Sequence, residues 1–267
     1  MHVALTIAGS DSSGGAGIQA DLKTFQAFGV FGTSAITAIT VQNTLGVSAV
    51  HAVPIDIVRA QIAAVAGDLA PAACKTGMLA TRELVQAVAQ SLGEHALPLY
   101  ILDPVMMATS GDRLLAEDAQ SAVLRELVPL ATLVTPNLDE AEILAGFPVR
   151  DAESMRRAAA SIVAAGARAA LVKGGHLAGD EVLDVFFDGH TLREYARPRL
   201  DTSSTHGTGC TLSAAVAAGL ARGDDLRSAV ENALDYVHRA IAAAPNLGSG
   251  NGPLNHGVAA APVQPRP

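Results

Sequence analysis

Aromatic residues are scarce in this chain of 267 residues: Phe, Tyr and Trp make up 3% of it, and Trp is absent. The apolar residues, 49% of the chain, are therefore mainly Ala, Val, Leu and Ile. Small and branched aliphatic side chains of this kind suit a parallel sheet with helices on both faces.

Cysteine and basic residues are also few. Two cysteines, Cys74 and Cys210, form no disulfide framework and favour a reduced, cytoplasmic location. The 18 Lys and Arg residues are scattered among 26 Asp and Glu, so no basic face for nucleic acid is predicted. In a chain of net charge −8, an anionic ligand must be attracted locally, by a helix N-terminus, a glycine loop, a metal or a single lysine.

No targeting or membrane-spanning segment is predicted. The first residues, MHVALTIAGSDSS, lack the basic stretch of a signal peptide. No apolar run approaches the roughly 18–20 residues that are needed to cross a bilayer.

Apolar runs alternate with helical periodicity along the whole chain, a βαβα pattern that predicts an α/β fold with one doubly wound, mostly parallel sheet. A single domain is expected over residues 1–258, followed by a disordered Ala/Pro-rich tail at 259–267. Strands are predicted at 3–8, 35–41, 72–75, 99–102, 133–135 and 169–173, a hairpin at 182–187 and 191–195, and two closing helices at 208–221 and 226–243.

Glycines and unusual polar residues cluster directly after the predicted strands. In doubly wound sheets, ligands bind outside the carboxyl ends of the strands. The segments that follow those ends are 9–17, 42–44, 75–78, 103–111, 136–140, 173–176 and 205–211, and they are predicted to form the site.

The segment Thr205–Thr211, THGTGCT, opens a helix. Its glycines let successive backbone N–H groups point at one spot, which predicts that Gly207, Thr208 and Gly209 bind a phosphoryl group. Cys210 lies in the first turn, where a thiol pKa tends to fall, so it is a candidate general base. The alternative is a glycine-rich helix start followed by a small buried cysteine.

The loop Gly9–Gly17, GSDSSGGAG, follows the first strand. It lacks the Lys and Ser/Thr of a phosphate-binding Walker loop. A dinucleotide fingerprint is partly met, but no acidic residue stands between Asp21 and Asp56, where that fingerprint requires one. A flexible loop that wraps a small substrate and a plain strand–helix turn are the two interpretations that remain.

Polar side chains end three further strands. The Gln42 amide can pair with both a donor and an acceptor on a heterocycle, or it can simply cap a turn. Asp103 can face a metal–triphosphate or begin a turn. Asn137 and Glu140 have the spacing of a capping box, and Glu140 can also lie near Mg²⁺ through water, with Asn137 near the phosphates.

Only three lysines occur, and Lys75 and Lys173 both end strands and precede glycine. Either can contact phosphate as a point charge or extend along the surface as a structural side chain. Lys173 is the better phosphate candidate because Gly174 and Gly175 leave room for a ligand. His176, His206 and His256 make no obvious metal cluster and are predicted to be solvated loop residues.

Taken in order, these segments resemble the hydroxymethylpyrimidine/phosphomethylpyrimidine kinases of thiamine biosynthesis. The resemblance runs from about residue 3 to residue 256 and is specific as an ordered set. It is carried by IAGSDSSGGAGIQAD at 7–21, VQNT at 41–44, KTGML at 75–79, DPVM at 103–106, TPN at 135–137, KGGH at 173–176, HGTGCT at 206–211 and the segment 248–256.

The resemblance implies a ribokinase-like three-layer αβα fold, ATP and Mg²⁺ as cofactors, and a homodimer. It assigns the reading of the pyrimidine to Gln42 and places Gly9, Ala16, Asp21, Met78 and Val105 around the same pocket. Lys173, Asn137 and Thr208 would bind ATP, Asp103 and Glu140 would lie at the metal, and Cys210 falls where many ribokinase-like enzymes have an aspartate base.

Three rival functions stay open at this point. A cysteine at the position of Cys210 is also similar to a cysteine-bearing group of vitamin B6 kinases, so pyridoxine or pyridoxal is the nearest rival substrate. A cysteine acyl-transfer enzyme would use Cys210 as nucleophile with His206 or another histidine as base. A non-catalytic pyrimidine-binding protein would bind without nucleotide hydrolysis.

Overall fold

The structure, a computed structural model, describes residues 1–107, 114–175, 177 and 179–260. Within these residues one nine-stranded sheet has the order β3-β2-β1-β4-β5-β6-β7-β8-β9. The strands are β1 Val3–Asp11, β2 Phe31–Asn43, β3 Gly46–Ala52, β4 Ala73–Thr76, β5 Tyr100–Leu102, β6 Leu133–Val134, β7 Ala170–Val172, β8 Glu181–Phe187 and β9 Leu192–Pro198.

The sheet is parallel from β2 to β7 and antiparallel at both margins. β3 pairs with β2, and the predicted hairpin β8–β9 pairs with β7, each in the antiparallel sense. The predicted doubly wound, mostly parallel sheet is therefore confirmed. β3 was not predicted.

Helices cover both faces of the sheet, each face over its own core. On one face Phe25, Leu212 and Tyr236 represent a core built from α1, α7 and α8. On the other face Ile62, Val88 and Met155 represent a core built from the remaining helices. The helices are α1 Gly17–Ala27, α2 Ile55–Leu69, α3 Arg82–Glu94, α4 Glu117–Ala122, α5 Leu138–Ala145, α6 Ala152–Ala164, α7 Thr208–Arg222 and α8 Leu226–Ala242, and α4 continues as a π turn and a 3₁₀ turn to Leu130.

Helix α7 is the most buried helix of the fold. Every residue from Thr211 to Ala221 is buried, and six of these eleven are Ala or Gly. Small side chains on all sides let the helix lie against the sheet and against α8 at the same time, where Gly219 approaches Ala229. The start of α7 is thereby fixed at the carboxyl edge of the sheet.

No helix in the described part of the chain is both long and apolar enough to span a membrane. Of the tail that was predicted to be disordered, residues 261–267 lie outside the described residues. Ala259, just before them, accepts a hydrogen bond from Arg239 at 2.6 Å.

Candidate active site

The segments after the parallel strands meet at one edge of the sheet, as their position predicted. Gly209, at the start of α7, lies where an added Cβ would come within 3.0 Å of Lys173 Nζ and 3.8 Å of Asp103 Oδ2. Gly207, two residues earlier, contacts Gly15 and Ala16 of the first glycine loop. The start of α7 is therefore shared by two groups of residues, one on each side.

Gly207 is the N-cap of α7 and has a φ of 85°, a left-handed conformation that favours glycine. A side chain at this position would also overlap the Gly15 carbonyl. The first N–H groups of a helix have no partner within that helix, and its dipole adds partial positive charge there. This turn can bind an anion with backbone groups alone.

An ion pair lies on one side of the turn. Lys173 Nζ is 3.2 Å from Asp103 Oδ1, and the Lys173 side chain keeps 16% of its surface exposed against 2% for Asp103. Thr135 Oγ1 and Ser213 Oγ donate to the same carboxylate at 3.3 and 3.2 Å. Burial alone would lower the pKa of Lys173, but Asp103 and Glu140 raise it, so the ammonium group is charged.

Asn137 and Glu140 form the predicted capping box. Asn137 Oδ1 accepts from Glu140 N at 2.9 Å, and Glu140 Oε2 accepts from Asn137 N at 2.8 Å. Burial raises the pKa of Glu140, and the nearby charge of Lys173 opposes that shift. The structural interpretation of this pair is confirmed, and the metal interpretation stays a prediction.

The described residues contain no group of three His, Cys, Asp or Glu side chains that could hold a metal ion by themselves. Asp103 and Glu140 nevertheless fit an ion of the Mg²⁺ type. Mg²⁺ commonly keeps several waters and is bound through one or two carboxylates together with substrate phosphates.

Cys210 lies in the first turn of α7, but the expected fall in its pKa is wrong. Burial raises the pKa of the thiol to about 11, and the charge of Lys75 and a hydrogen bond from the Gly17 amide only partly offset this. The helix terminus alone favours a lower pKa, but Cys210 is half-buried and the packing of distant segments around it has the larger effect.

Lys75 is fully buried, unlike Lys173. Its Nζ lies 2.9 Å from both carboxylate oxygens of Asp21, and Thr6 Oγ1 donates to Asp21 at 2.6 Å. Both side chains have 0% exposure, so the alternative use of Lys75 as a phosphate contact is wrong for this structure. Asp21, expected around the substrate, has no exposed surface and is bonded to Lys75 and Thr6.

Asp11 was missed as a functional candidate, and His206 was considered only as a possible base in the acyl-transfer alternative. His206 Nε2 lies 2.8 Å from Asp11 Oδ2, and both residues are buried, at 5% and 2% exposure. His256 is buried as well and contacts Thr211, with Nε2 3.0 Å from Thr211 Oγ1. The prediction that His206 and His256 are solvated is therefore wrong, and His176 lies outside the described residues.

The expected pyrimidine residues lie around the first glycine loop. Gly9 faces Met78, whose sulfur would lie 3.2 Å from an added Cβ, and Ala16 adjoins Gly207. Gln42 Nε2 lies 3.5 Å from His206 Nε2. Val105 is half-buried just after Asp103, with its N–H bonded to the Asp103 carbonyl.

A cavity of about 860 Å³ lies behind the glycine loop, between α1 and the segment that follows α8. Ser13, Gly14 and Lys23 line it on one side, and Pro253 and His256 line it on the other. It contains none of the residues at the start of α7, so the candidate site is defined by the converging side chains and not by this cavity.

The model of a protein family described as phosphomethylpyrimidine kinase matches residues 11–255. The hydroxymethylpyrimidine/phosphomethylpyrimidine kinase of Rhizobium meliloti is 55% identical over 260 residues, which cover 95% of this chain and 96% of that protein. The thiamine biosynthesis bifunctional protein ThiED of Geobacter sulfurreducens is 48% identical over 98% of this chain and 54% of that protein.

A solved structure with a similar fold is an ADP complex of Bacillus subtilis pyridoxal kinase. It superposes with a TM-score of 0.89 at 40% identity and covers 96% of this chain and 97% of that one.

Proposed function

The chain belongs to the phosphomethylpyrimidine kinase family, and on that basis we propose that it phosphorylates 4-amino-5-hydroxymethyl-2-methylpyrimidine with ATP. The monophosphate is then phosphorylated to the diphosphate, for thiamine biosynthesis. The nine-stranded sheet and the helices on its two faces form a three-layer fold of the ribokinase-like kind. The observation that carries the proposal is the convergence of Lys173, Asp103 and the first turn of α7 beside a glycine loop.

Phosphoryl transfer requires placement and charge neutralisation more than covalent chemistry. The amides of Gly207, Thr208 and Gly209 bind the phosphoryl group in transfer. Lys173 binds the triphosphate as a point charge, and Asn137 adds its side-chain N–H groups, since its oxygen is already used in the capping box. Asp103 and Glu140 would hold the Mg²⁺ that binds with ATP, and this ion would neutralise phosphate charge.

Cys210 accepts the proton that the substrate hydroxyl loses when its oxygen bonds to phosphorus and ADP leaves. A thiol with a pKa of about 11 is rarely ionised at neutral pH. Only this small thiolate fraction can accept the proton, which it does as the hydroxyl becomes acidic on bonding to phosphorus, and the thiolate thereby becomes a thiol. Lys75, fixed by Asp21, favours the charged sulfur. The second step attacks through a phosphate oxygen that is already ionised, so it depends less on Cys210.

The pyrimidine is bound on the other side of the α7 start. The Gln42 amide pairs with the ring and its amino group, because an amide offers both a donor and an acceptor. Gly9, Ala16, Met78 and Val105 line the pocket. We assign Asp21 to positioning, through Lys75, because its carboxylate is engaged inside the protein.

A coupled assay of ADP release tests the proposal. The substrates are the hydroxymethylpyrimidine, its monophosphate, pyridoxine and pyridoxal. We expect the first two to be turned over with the highest kcat/KM. Turnover of pyridoxine or pyridoxal alone would contradict the proposal and favour the second candidate, a vitamin B6 kinase, which the similarity to B. subtilis pyridoxal kinase supports.

The acyl-transfer alternative finds less support. It needs a histidine that activates Cys210. The nearest in sequence, His206, has its Nε2 turned to Asp11. Binding of the pyrimidine with neither ADP release nor phosphorylated product would instead favour a non-catalytic binding protein.

We further propose a homodimer that forms through β2 and β3. β3 is a margin of the sheet, and Ile39, Val41 and Val50 on these strands are 51%, 58% and 46% exposed. An exposed apolar edge of this kind pairs readily with another chain. Ile39→Lys should convert the protein to a monomer in light scattering, whereas an unchanged mass would contradict this interface.

Residues 1–258 form a single domain in this proposal, since all nine strands join one sheet. A cytoplasmic location is proposed because both cysteines are free.

A further inference from the structure

Two glycine loops from opposite ends of the chain are joined by one buried contact. Asp11 ends β1 and begins the first loop, and His206 directly precedes Gly207 at the start of α7. Although 195 positions separate them, Nε2 of the histidine lies 2.8 Å from Oδ2 of the aspartate. Gly15 packs against the His206 ring so closely that a Cβ would come within 2.6 Å of Cδ2.

The Asp11 carboxylate holds the whole first loop in shape. It accepts from Ser13 N and Ser13 Oγ at 2.8 Å, from Gly15 N at 3.1 Å and from Ala16 N at 2.7 Å. Burial would raise the pKa of this carboxyl group, but the bonds from His206, Ser13 and Ala16 outweigh burial and lower it to about 2. The group is an anion at neutral pH, and it can only accept.

His206 is fixed from several sides. Its backbone N–H donates to the Gly252 carbonyl at 3.0 Å, and Pro253 pairs with it in an isolated parallel β-bridge. Because Asp11 can only accept, Nε2 of the imidazole must carry the hydrogen; this tautomer is assigned from the hydrogen-bond network. Gln42 Nε2, at 3.5 Å from the same nitrogen, therefore cannot donate to it and keeps its N–H groups for a ligand. Gln42 is joined to the loop through Ser12, whose Oγ donates to the Gln42 carbonyl at 2.8 Å and accepts from Gln42 N at 2.9 Å.

We propose that Asp11 and His206 form a clasp that fixes the pyrimidine-reading side chain Gln42 relative to the phosphoryl-binding turn at Gly207. The two residues are positioning residues, and neither touches the reacting atoms. The clasp joins the first glycine loop, which belongs to the pyrimidine site, to the first turn of α7, which belongs to the nucleotide site. Binding of the nucleotide therefore strengthens binding of the pyrimidine, and binding of the pyrimidine strengthens that of the nucleotide. This inference rests on the proposed function.

Isothermal titration measures the coupling directly. The Kd of the hydroxymethylpyrimidine is determined with and without a non-hydrolysable ATP analogue and Mg²⁺. In the wild-type protein we expect the analogue to tighten pyrimidine binding about 5-fold or more. In His206→Ala this factor should fall to near 1, while each ligand still binds alone. His190→Ala, an exposed histidine of the β8–β9 turn, is the matched control and should keep the full factor.

The conservative variant separates the hydrogen bond from mere packing. His206→Gln places an amide N–H near the position of Nε2, so it should restore most of the coupling and of kcat/KM. Asp11→Asn keeps the size of the acceptor but sets an NH₂ group against loop donors, and it should lose the coupling like His206→Ala. A thermal melt shows whether His206→Ala is folded. If it is not, Asp11→Asn tests the coupling in its place.

The clasp is wrong if wild-type binding is uncoupled, if folded His206→Ala or Asp11→Asn keeps the wild-type factor, or if His206→Gln restores nothing. Failure of the proposed function looks different. In that case the wild-type protein turns over pyridoxine and not the pyrimidine, and the same titrations with pyridoxine still decide whether the two sites are coupled.

Discussion

The two sides of the start of α7 use different interactions to bind their ligands. On the triphosphate side, opposite charges lie side by side, and burial raises the pKa of Glu140 although the charge of Lys173 opposes that shift. On the pyrimidine side, a single carboxylate, Asp11, collects hydrogen bonds from loop amides and a histidine, and its pKa is lowered. One side is suited to a highly charged ligand and the other to an uncharged ring, and Cys210 lies between them.

The largest test of this division concerns Cys210. Cys210→Ala should lower kcat for phosphorylation of the hydroxyl about 10²–10⁴-fold, because a general base of this kind contributes that much. Phosphorylation of the monophosphate should fall far less. Single-turnover rates with each substrate measure both steps, and equal losses in the two steps would remove Cys210 from the role of base.

Cys74→Ala is the matched control for that experiment. Cys74 is a fully buried cysteine of β4 in the core that faces α2 and α3, and its variant should lose stability but keep the ratio of the two rates.

Lys173→Met tests the charged side. Loss of one pre-organised charge at a transferring phosphoryl group costs on the order of 10²–10³ in rate. We expect kcat/KM for ATP to fall by that amount, while the Kd of the pyrimidine changes less than about 3-fold if the two sides divide the work. Lys23→Met removes an exposed lysine and should leave ATP kinetics near the wild-type values. If Lys173→Met weakened ATP use and pyrimidine binding equally, the division of work between the two sides would be contradicted.

Acid unfolding tests the other side. The pKa of Asp11 falls from 3.8 to about 2 on folding, so its anion stabilises the native state above pH 4. That contribution, about 2 kcal/mol, disappears as the pH falls from about 4 to 2. Asp11→Asn lacks it at every pH. The difference in free energy of unfolding between wild type and variant should therefore shrink towards pH 2 in urea titrations, and a constant difference would contradict this role.

The smallest expected effect concerns the capping box. Asn137→Ala removes the side-chain oxygen that accepts from Glu140 N and should cost about 1 kcal/mol of stability. Asp225→Ala removes the corresponding cap of α8, remote from the site, and should cost a similar amount. If Asn137 also binds ATP, only its variant raises KM for ATP.

Sequence patterns revealed much of this molecule wherever the signal was local. The parallel strands, the β8–β9 hairpin and the Asn137–Glu140 box follow from short segments, and all three were confirmed. β3 was missed because none of its seven residues is buried: two are half-buried and five are exposed, so the segment has no alternation of buried and exposed positions.

The unpredicted features are those that depend on distant partners. Lys75 and Lys173 share the same local pattern, yet Lys75 forms its ion pair with Asp21 and Lys173 forms its ion pair with Asp103. The pKa of Cys210 depends on burial, which outweighs the effect of the helix terminus. His206 looked like a loop residue because its partner, Asp11, lies near the other end of the chain. No short stretch of the sequence contains both Asp11 and His206.

That separation has a consequence for how the protein is made. During synthesis Asp11 leaves the ribosome well before the histidine that completes its set of bonds, and Gly252, which accepts from the backbone N–H of that histidine, follows later still. Most of the sheet can assemble while the active centre is still unfinished. A nascent chain halted before Gly252 therefore lacks the carbonyl that accepts from the backbone N–H of His206.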